Sequence, residues 1–277
     1  MAVITQMCFI SIVIKSMNKK YYAHSLAEEP PEKWQRLEEH LRNVGAKAEM
    51  FSAAFGSASW TRTAGLLHDP GKAHCDFQRY LMKENGLNVS EYDDRITGSR
   101  VNHSGAGANF AYEKWPNIIG KTLAYLVAGH HAGLPDWHDS SGASLSYRLE
   151  QEKGVADAVR NYATPFLKSF PDKLTPPPSS FKPESYHFWV RMLYSCLVDA
   201  DFLDTEAFMD HAKHAQRPTF PLLTELKERF VQVLSNMVEQ APATPVNNSR
   251  ASILAACREA AEQSHSIFSL TVPTRRG

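Results

Sequence analysis

The chain has 277 residues, with 30 basic and 30 acidic side chains and a formal net charge of zero; at roughly 150 residues per domain it makes one large domain or two small ones. Hydrophobic residues at 43% and charged residues at 22% exclude a disordered, collagen-like or coiled-coil chain, and balanced charge confines any nucleic-acid site to a local patch. Cys8, Cys75, Cys196 and Cys257 have no CxxC spacing, which excludes a zinc finger or disulfide scaffold and suits a reducing cytoplasm.

In chain order, the apolar run MCFISIVI at 7–14 is too short to span a membrane. It lacks the flanks of a signal peptide. Residues 1–19 read as an N-terminal extension: a strand, a dispensable tail, or a stretch upstream of a start at Met17. Leu37, Leu41, Val44, Ala48, Phe51 and Phe55 recur at helical steps and predict an amphipathic helix over 34–55. A second helix covers 60–69 and stops at Pro70-Gly71. Phe77, Tyr80, Leu81 and Glu84 suggest a third, and 85–98 reads as a loop.

The small-residue stretch from His103 predicts a tightly packed helix with Asn102 or Ser104 as cap. Helices follow at 118–131 and 146–162, then a loop over 174–184 and a strongly apolar helix over 186–204. Pro218 opens a helix with Leu222, Leu226, Phe230, Val233 and Met237 on one face. A linker at 241–249, a short helix at 250–262 and a strand in SIFSLTV close the chain. With no repeat and no β-alternation in its body, the chain is expected to fold as an all-α domain over 20–240, with 241–277 as a linker and appendage.

Twelve histidines are present, and histidine is the commonest metal ligand. His68-Asp69 ends a helix in the string LLHDPGK, pairing an imidazole with a carboxylate able to bridge two cations. At about 100° per residue, His130 falls on the apolar face of its helix and His131 at that face's edge. His40 borders the face of Val44 and Phe51. Asp201 lies beside Val190 and Leu197, while Asp199 points elsewhere. Any one of these alone reads as a satisfied core polar group. Together, leaning inward from separate helices, they read as a metal centre, because buried charge must be paired or metal-bound. His103, opening the small-residue helix, joins the set.

The order His…HD-x-GK…His-Ser-x-x-Gly…His-His…Asp is similar to that of the HD phosphohydrolase superfamily. YYAHS with WQRLEEHLRNVGAKA, GLLHDPGKAHCDFQRYL, NHSGAGA, GHHAGLPDW and LVDADFLDTE resemble the HD nuclease domain of the CRISPR-associated nuclease-helicase of type I interference systems, over about 21–210. The resemblance implies an HD-type helical bundle with a binuclear centre. His40, His68, Asp69 and Asp201 would hold one divalent metal. Asp69, His103, His130 and His131 would hold the other, with Asp69 bridging. Lys72 would sit near the scissile phosphate, Ser104 would line the site, and His24 falls near it. Pro70 stands where the family carries a larger aliphatic residue, and is expected to tilt the presentation of Asp69.

Imidazole and carboxylate ligands suit Mn²⁺, Fe²⁺, Co²⁺ or Ni²⁺ better than Mg²⁺, which remains admissible. The expected activity is two-metal hydrolysis of single-stranded DNA in the cytoplasm, as an endonuclease and exonuclease. A separate helicase chain and a CRISPR surveillance complex are the expected partners, with no membrane. In the fused family a strand like FSLTVPT leads into a helicase P-loop; here the text becomes Thr274-Arg275-Arg276-Gly277. Without the glycines and lysine of a P-loop, the segment is expected to bind no ATP and to be the truncated start of a helicase domain. Two other readings stand beside the nuclease: a phosphohydrolase of nucleotides or cyclic dinucleotides, and a non-catalytic remnant of the nuclease-helicase.

Overall fold

The computed structural model describes residues 20–87, 103–115, 117–139, 144–170, 174, 177–178, 182–217, 221–263 and 268–272. Among these are eleven α-helices and one two-stranded sheet. The N-terminal extension, Asn102 and most of the loop expected at 85–98 lie outside the described residues.

The described chain enters through β1 (Tyr22–His24), which pairs antiparallel with β2 (Gln35–Arg36). No strand was expected here, because two or three residues are too few to show an alternation. Side chains hold the pairing instead. Tyr22 and Trp34 stack edge to face at 5.4 Å in a small cluster with Phe77 and Leu81. Gln78 takes the backbone N–H of Tyr22 at 3.0 Å and donates to the Tyr22 carbonyl at 2.9 Å.

Next come α1 (Leu37–Ser52) and α2 (Ala58–Leu67). α1 buries Leu37, His40, Leu41, Val44 and Ala48 on one stripe, the phase expected of an amphipathic helix. The two helices meet backbone to backbone at Gly45 and Gly65. A Cβ on Gly65 would lie 2.6 Å from Gly45 Cα, so only glycine permits the approach. A 3₁₀ turn, Pro70–Ala73, leads into α3 (Cys75–Glu84). Proline at the first position of that turn has φ pre-set and no N–H to leave unpaired. Pro70 therefore opens a turn after α2 has ended.

The helices α4 (Ser104–Lys114) and α5 (Ile118–Gly129) pack on each other. His103, neither Asn102 nor Ser104, occupies the cap position of α4, and Ser104 is the first helical residue. The helix expected over 146–162 is two, α6 (Leu145–Gln151) and α7 (Lys153–Ser169), broken at Glu152. The long α8 (Tyr186–Met209) buries Trp189, Leu193, Leu197, Ala200 and Asp204 and packs against α1, α2 and α5. Trp189 anchors it, stacking on Trp60 at 4.9 Å and donating to Ser57 Oγ at 2.9 Å. The short α9 (His211–Ala215) follows.

The chain divides into two units, at Arg217 and Pro218, so the domain expected to reach residue 240 stops earlier. The second unit holds α10 (Leu223–Glu239) and α11 (Pro245–Ala261), neither with a buried residue. Leu226, Phe230, Val233 and Met237 of α10 are exposed. The linker expected through 249 ends sooner, because Pro245 begins α11 and Thr244 Oγ1 caps it, accepting from Asn247 N at 3.2 Å. The expected strand is irregular over 268–272; no described strand in this unit is there to pair with it. No described helix is long and apolar enough to cross a membrane.

Candidate metal centre

Two helix ends build the centre. His68 follows the last residue of α2, and its ring turns back so that Nδ1–H donates to Gly65 O at 2.6 Å. His130 follows α5 in the same way, donating from Nδ1 to Val127 O at 2.6 Å. A carbonyl can only accept, so both Nδ1 atoms carry the proton. His40, on α1, donates from Nδ1 to Asp204 Oδ2 at 2.9 Å. Each of the three imidazoles thus turns Nε2 toward Asp69. Both helices also direct the negative ends of their dipoles here, where a cation is favoured.

Asp69 lies at the centre, fully buried. Its Oδ1 is 3.3 Å from His130 Nε2 and 3.5 Å from His103 Nε2. Its Oδ2 is 3.4 Å from His68 Nε2, 3.9 Å from His40 Nε2 and 2.8 Å from Lys72 Nζ. Asp201 Oδ1 approaches His40 Nε2 at 3.3 Å and His68 Nε2 at 3.6 Å. His131 faces His103, Nε2 to Nε2, at 2.9 Å. The seven residues singled out as ligands therefore come together, from α1, the end of α2, the cap of α4, the end of α5, and α8. His131 is exposed and forms the outer edge. Asp199 is exposed on α8, whereas Asp201 is half-buried and faces the histidines.

The donor set fits a divalent cation. Both carboxylate oxygens of Asp69 and Nε2 of His130 are shielded from water and make no aligned hydrogen bond; Lys72 gives Asp69 an ionic contact only. Orphaned buried acceptors are costly. The facing Nε2 atoms of His40 and His68, 3.1 Å apart, repel unless a cation lies between them, either a proton on one ring or a metal. Groups such as His40, His68 and Asp69, or Asp69, His130 and His131, place one ligand atom each within 4.8 Å of one another.

The electrostatics agree. Burial would raise the Asp69 carboxyl, but Lys72, His68 and His103 beside it hold it well below the carboxylate range. Asp201 is likewise held low, by His40 and His68 against its burial. Burial pushes His24 down to about 2, with Lys72 and His40 adding to it, so this ring is neutral. His24 Nε2 lies 3.5 Å from Lys72 Nζ and 3.4 Å from Thr205 Oγ1. Burial would lower His68, yet Asp69 and Asp201 raise it above its usual 6.5.

A metal must displace that proton from His68. Raised on folding, it stabilises the metal-free chain below pH 6.5, and this contribution disappears as pH climbs through the folded value. Metal affinity is expected to rise over the same interval, with proton release. Calorimetry of Mn²⁺ binding in buffers of different ionisation enthalpy checks this; affinity flat with pH above 6.5 would count against it.

Two predicted residues take up positions of a different kind. Ser104 Oγ accepts from Arg148 Nη2 at 3.0 Å, and Arg148 also donates to Ala128 O at 2.9 Å, tying α6 to the start of α4 and the end of α5. Lys72, 4% exposed, is engaged with Asp69. Asp204 is not among the residues singled out from the sequence, although it lies on the buried stripe of α8 one turn beyond Asp201; the signal was its helical phase. For the two acids weighed, Asp201→Ala is expected to lose bound metal and Asp199→Ala to keep it, as metal content after gel filtration would show.

No curated protein sequence matches the chain. The family model described as "Cas3, HD domain" matches residues 23–203. That match begins in β1, ends in α8 and encloses every residue of the cluster from His40 to Asp201. The chain belongs to the family of Cas3 HD domains.

Proposed function

We propose that the chain is a divalent-metal-dependent nuclease that hydrolyses phosphodiesters of single-stranded DNA in type I CRISPR interference. The observation that carries this reading is the shielded Asp69 carboxylate, ringed by imidazole Nε2 atoms and left without an aligned hydrogen bond. His40, His68, Asp69 and Asp201 would hold one cation, and Asp69, His103, His130 and His131 a second. Such cations supply Lewis-acid charge to a phosphodiester and acidify the attacking water. The mixed imidazole and carboxylate donors favour Mn²⁺, Fe²⁺, Co²⁺ or Ni²⁺ over Mg²⁺.

The chain's own residues contribute the rest. The Nδ1–H bonds to Gly65 O, Val127 O and Asp204 fix the tautomers and lock the rings. Lys72 offers a buried ammonium to neutralise charge building on a phosphate. The charge balance of the chain gives weak, salt-sensitive DNA binding through a local patch. In this reading a helicase and a surveillance complex supply unwound DNA, and hydrolysis at the metal centre itself uses no ATP.

The test is cleavage of a circular single strand, which excludes end-dependent exonucleases, with Mn²⁺, with chelator and with ATP. Nucleoside triphosphates and cyclic dinucleotides are offered in parallel. Cutting of the circle with Mn²⁺ alone is expected. Cutting in chelator, or turnover of the nucleotides without cutting of the circle, would overturn the reading.

A further inference from the structure

Asp204 takes no direct part in that chemistry, yet it is among the most highly connected carboxylates of the first unit. It is 3% exposed. Its Oδ2 accepts from His40 Nδ1 at 2.9 Å and from Gln35 Nε2 at 2.8 Å. Its Oδ1 accepts from Lys47 Nζ at 3.0 Å. Burial works against its charge, but His40 and Lys47 hold its pKa down at about 2. Two elements thus converge on it: β2 with Gln35, and α1 with both the cluster residue His40 and Lys47.

His40 is in this respect unlike His68 and His130. Those two rings rest their Nδ1–H on neutral backbone carbonyls; His40 rests on a carboxylate. A charge-assisted bond is roughly twice as strong as a neutral one. It also draws the Nδ1 proton toward the acid and raises the electron density at Nε2, the ligand atom. Lys47 acts in the opposite sense, because its ammonium shares the same carboxylate and reduces the charge that His40 feels.

We propose that Asp204 is the positioning residue that orients His40 and strengthens it as a metal ligand, with Lys47 as the counter-charge that limits this effect. The inference rests on the metal-centre reading above. A merely structural role would make every disruption of the network weaken the site. An electronic role gives the two partners opposite signs.

The experiment measures Mn²⁺ affinity by calorimetry for the whole chain and for D204N, D204A and K47M. Circular dichroism follows folding, and the visible absorption of the Co²⁺-loaded protein follows the ligand field. D204A is expected to lose about 10- to 100-fold in affinity. D204N, which keeps an acceptor for His40 but no charge, is expected to fall between D204A and the parent, with a shifted Co²⁺ spectrum. K47M is expected to bind more tightly than the parent. If D204A does not fold, D204N and K47M decide the matter by their opposite signs. Parent-like affinity and spectrum in D204N, or weaker binding in K47M, would overturn the proposal while leaving the metal centre standing. A parent protein that takes up no divalent cation would overturn both.

Discussion

Asp69→Ala is expected to abolish metal uptake and to reduce DNA cleavage at least about a thousand-fold, equivalent to ~4 kcal/mol of transition-state stabilisation. Asp69 turns one carboxylate oxygen to each half of the cluster. Its Oδ2 faces His68 and His40, and its Oδ1 faces His103 and His130. The substitution has a second consequence. Lys72, 2.8 Å from Asp69 and 4% exposed, is left as a buried ammonium without its partner, and breaking such a pair costs about 3–5 kcal/mol. The single variant should therefore melt well below the parent in the absence of metal. Adding Lys72→Met should recover much of that stability without recovering metal binding or cleavage. Thermal melts and metal content of the two variants separate these effects. Metal retained by Asp69→Ala, or cleavage at the parent's rate, would remove Asp69 from the centre of the mechanism.

The helices that carry the cluster were legible because a polar residue on an apolar face is a strong signal. His40 among Leu37, Leu41 and Val44, and His130 after Leu126 and Val127, interrupt stripes that are otherwise apolar. The end of α2 was legible from Pro70, which opens a turn. Less was legible where short-range pattern carries no information. The pairing of β1 with β2 is held by Gln78 and Trp34, far apart in sequence. The cap of α4 falls on His103, whose side chain makes no capping bond, so no cap preference marked it. Asp204 shares the phase of Leu197 and Ala200. Its meaning depends on Lys47 and Gln35, which only the folded chain brings to it. The end of the first unit at Arg217 was hidden as well. α10 has a helical apolar stripe like that of a core helix, but Leu226, Phe230 and Val233 are exposed.

Gly107→Ala is expected to be the most damaging single methyl group in the first unit. A Cβ at this position would overlap the carbonyl oxygen of Leu67 and come within 3.2 Å of Pro70 Cδ. The neighbour is backbone, so no side chain can rotate away, and α4 must separate from the end of α2. Overpacking of this kind costs about 3 kcal/mol or more, or roughly 10 °C in melting temperature for a unit of this size. The site should suffer as well. Leu67 precedes His68, and α4 carries His103 at its cap, so moving one helix end from the other separates ligands on the two sides of Asp69. Gly154→Ala is the control. Nothing lies within 4 Å of a Cβ there, and the residue is inside α7. Replacing a helical glycine by alanine should stabilise by about 0.5–1 kcal/mol and leave metal affinity unchanged. Melting curves and Mn²⁺ titrations of the two variants should therefore move in opposite directions for stability, and only Gly107→Ala should lose metal. If Gly107→Ala melts like the parent, the contact between α4 and the end of α2 does not set the geometry of the centre.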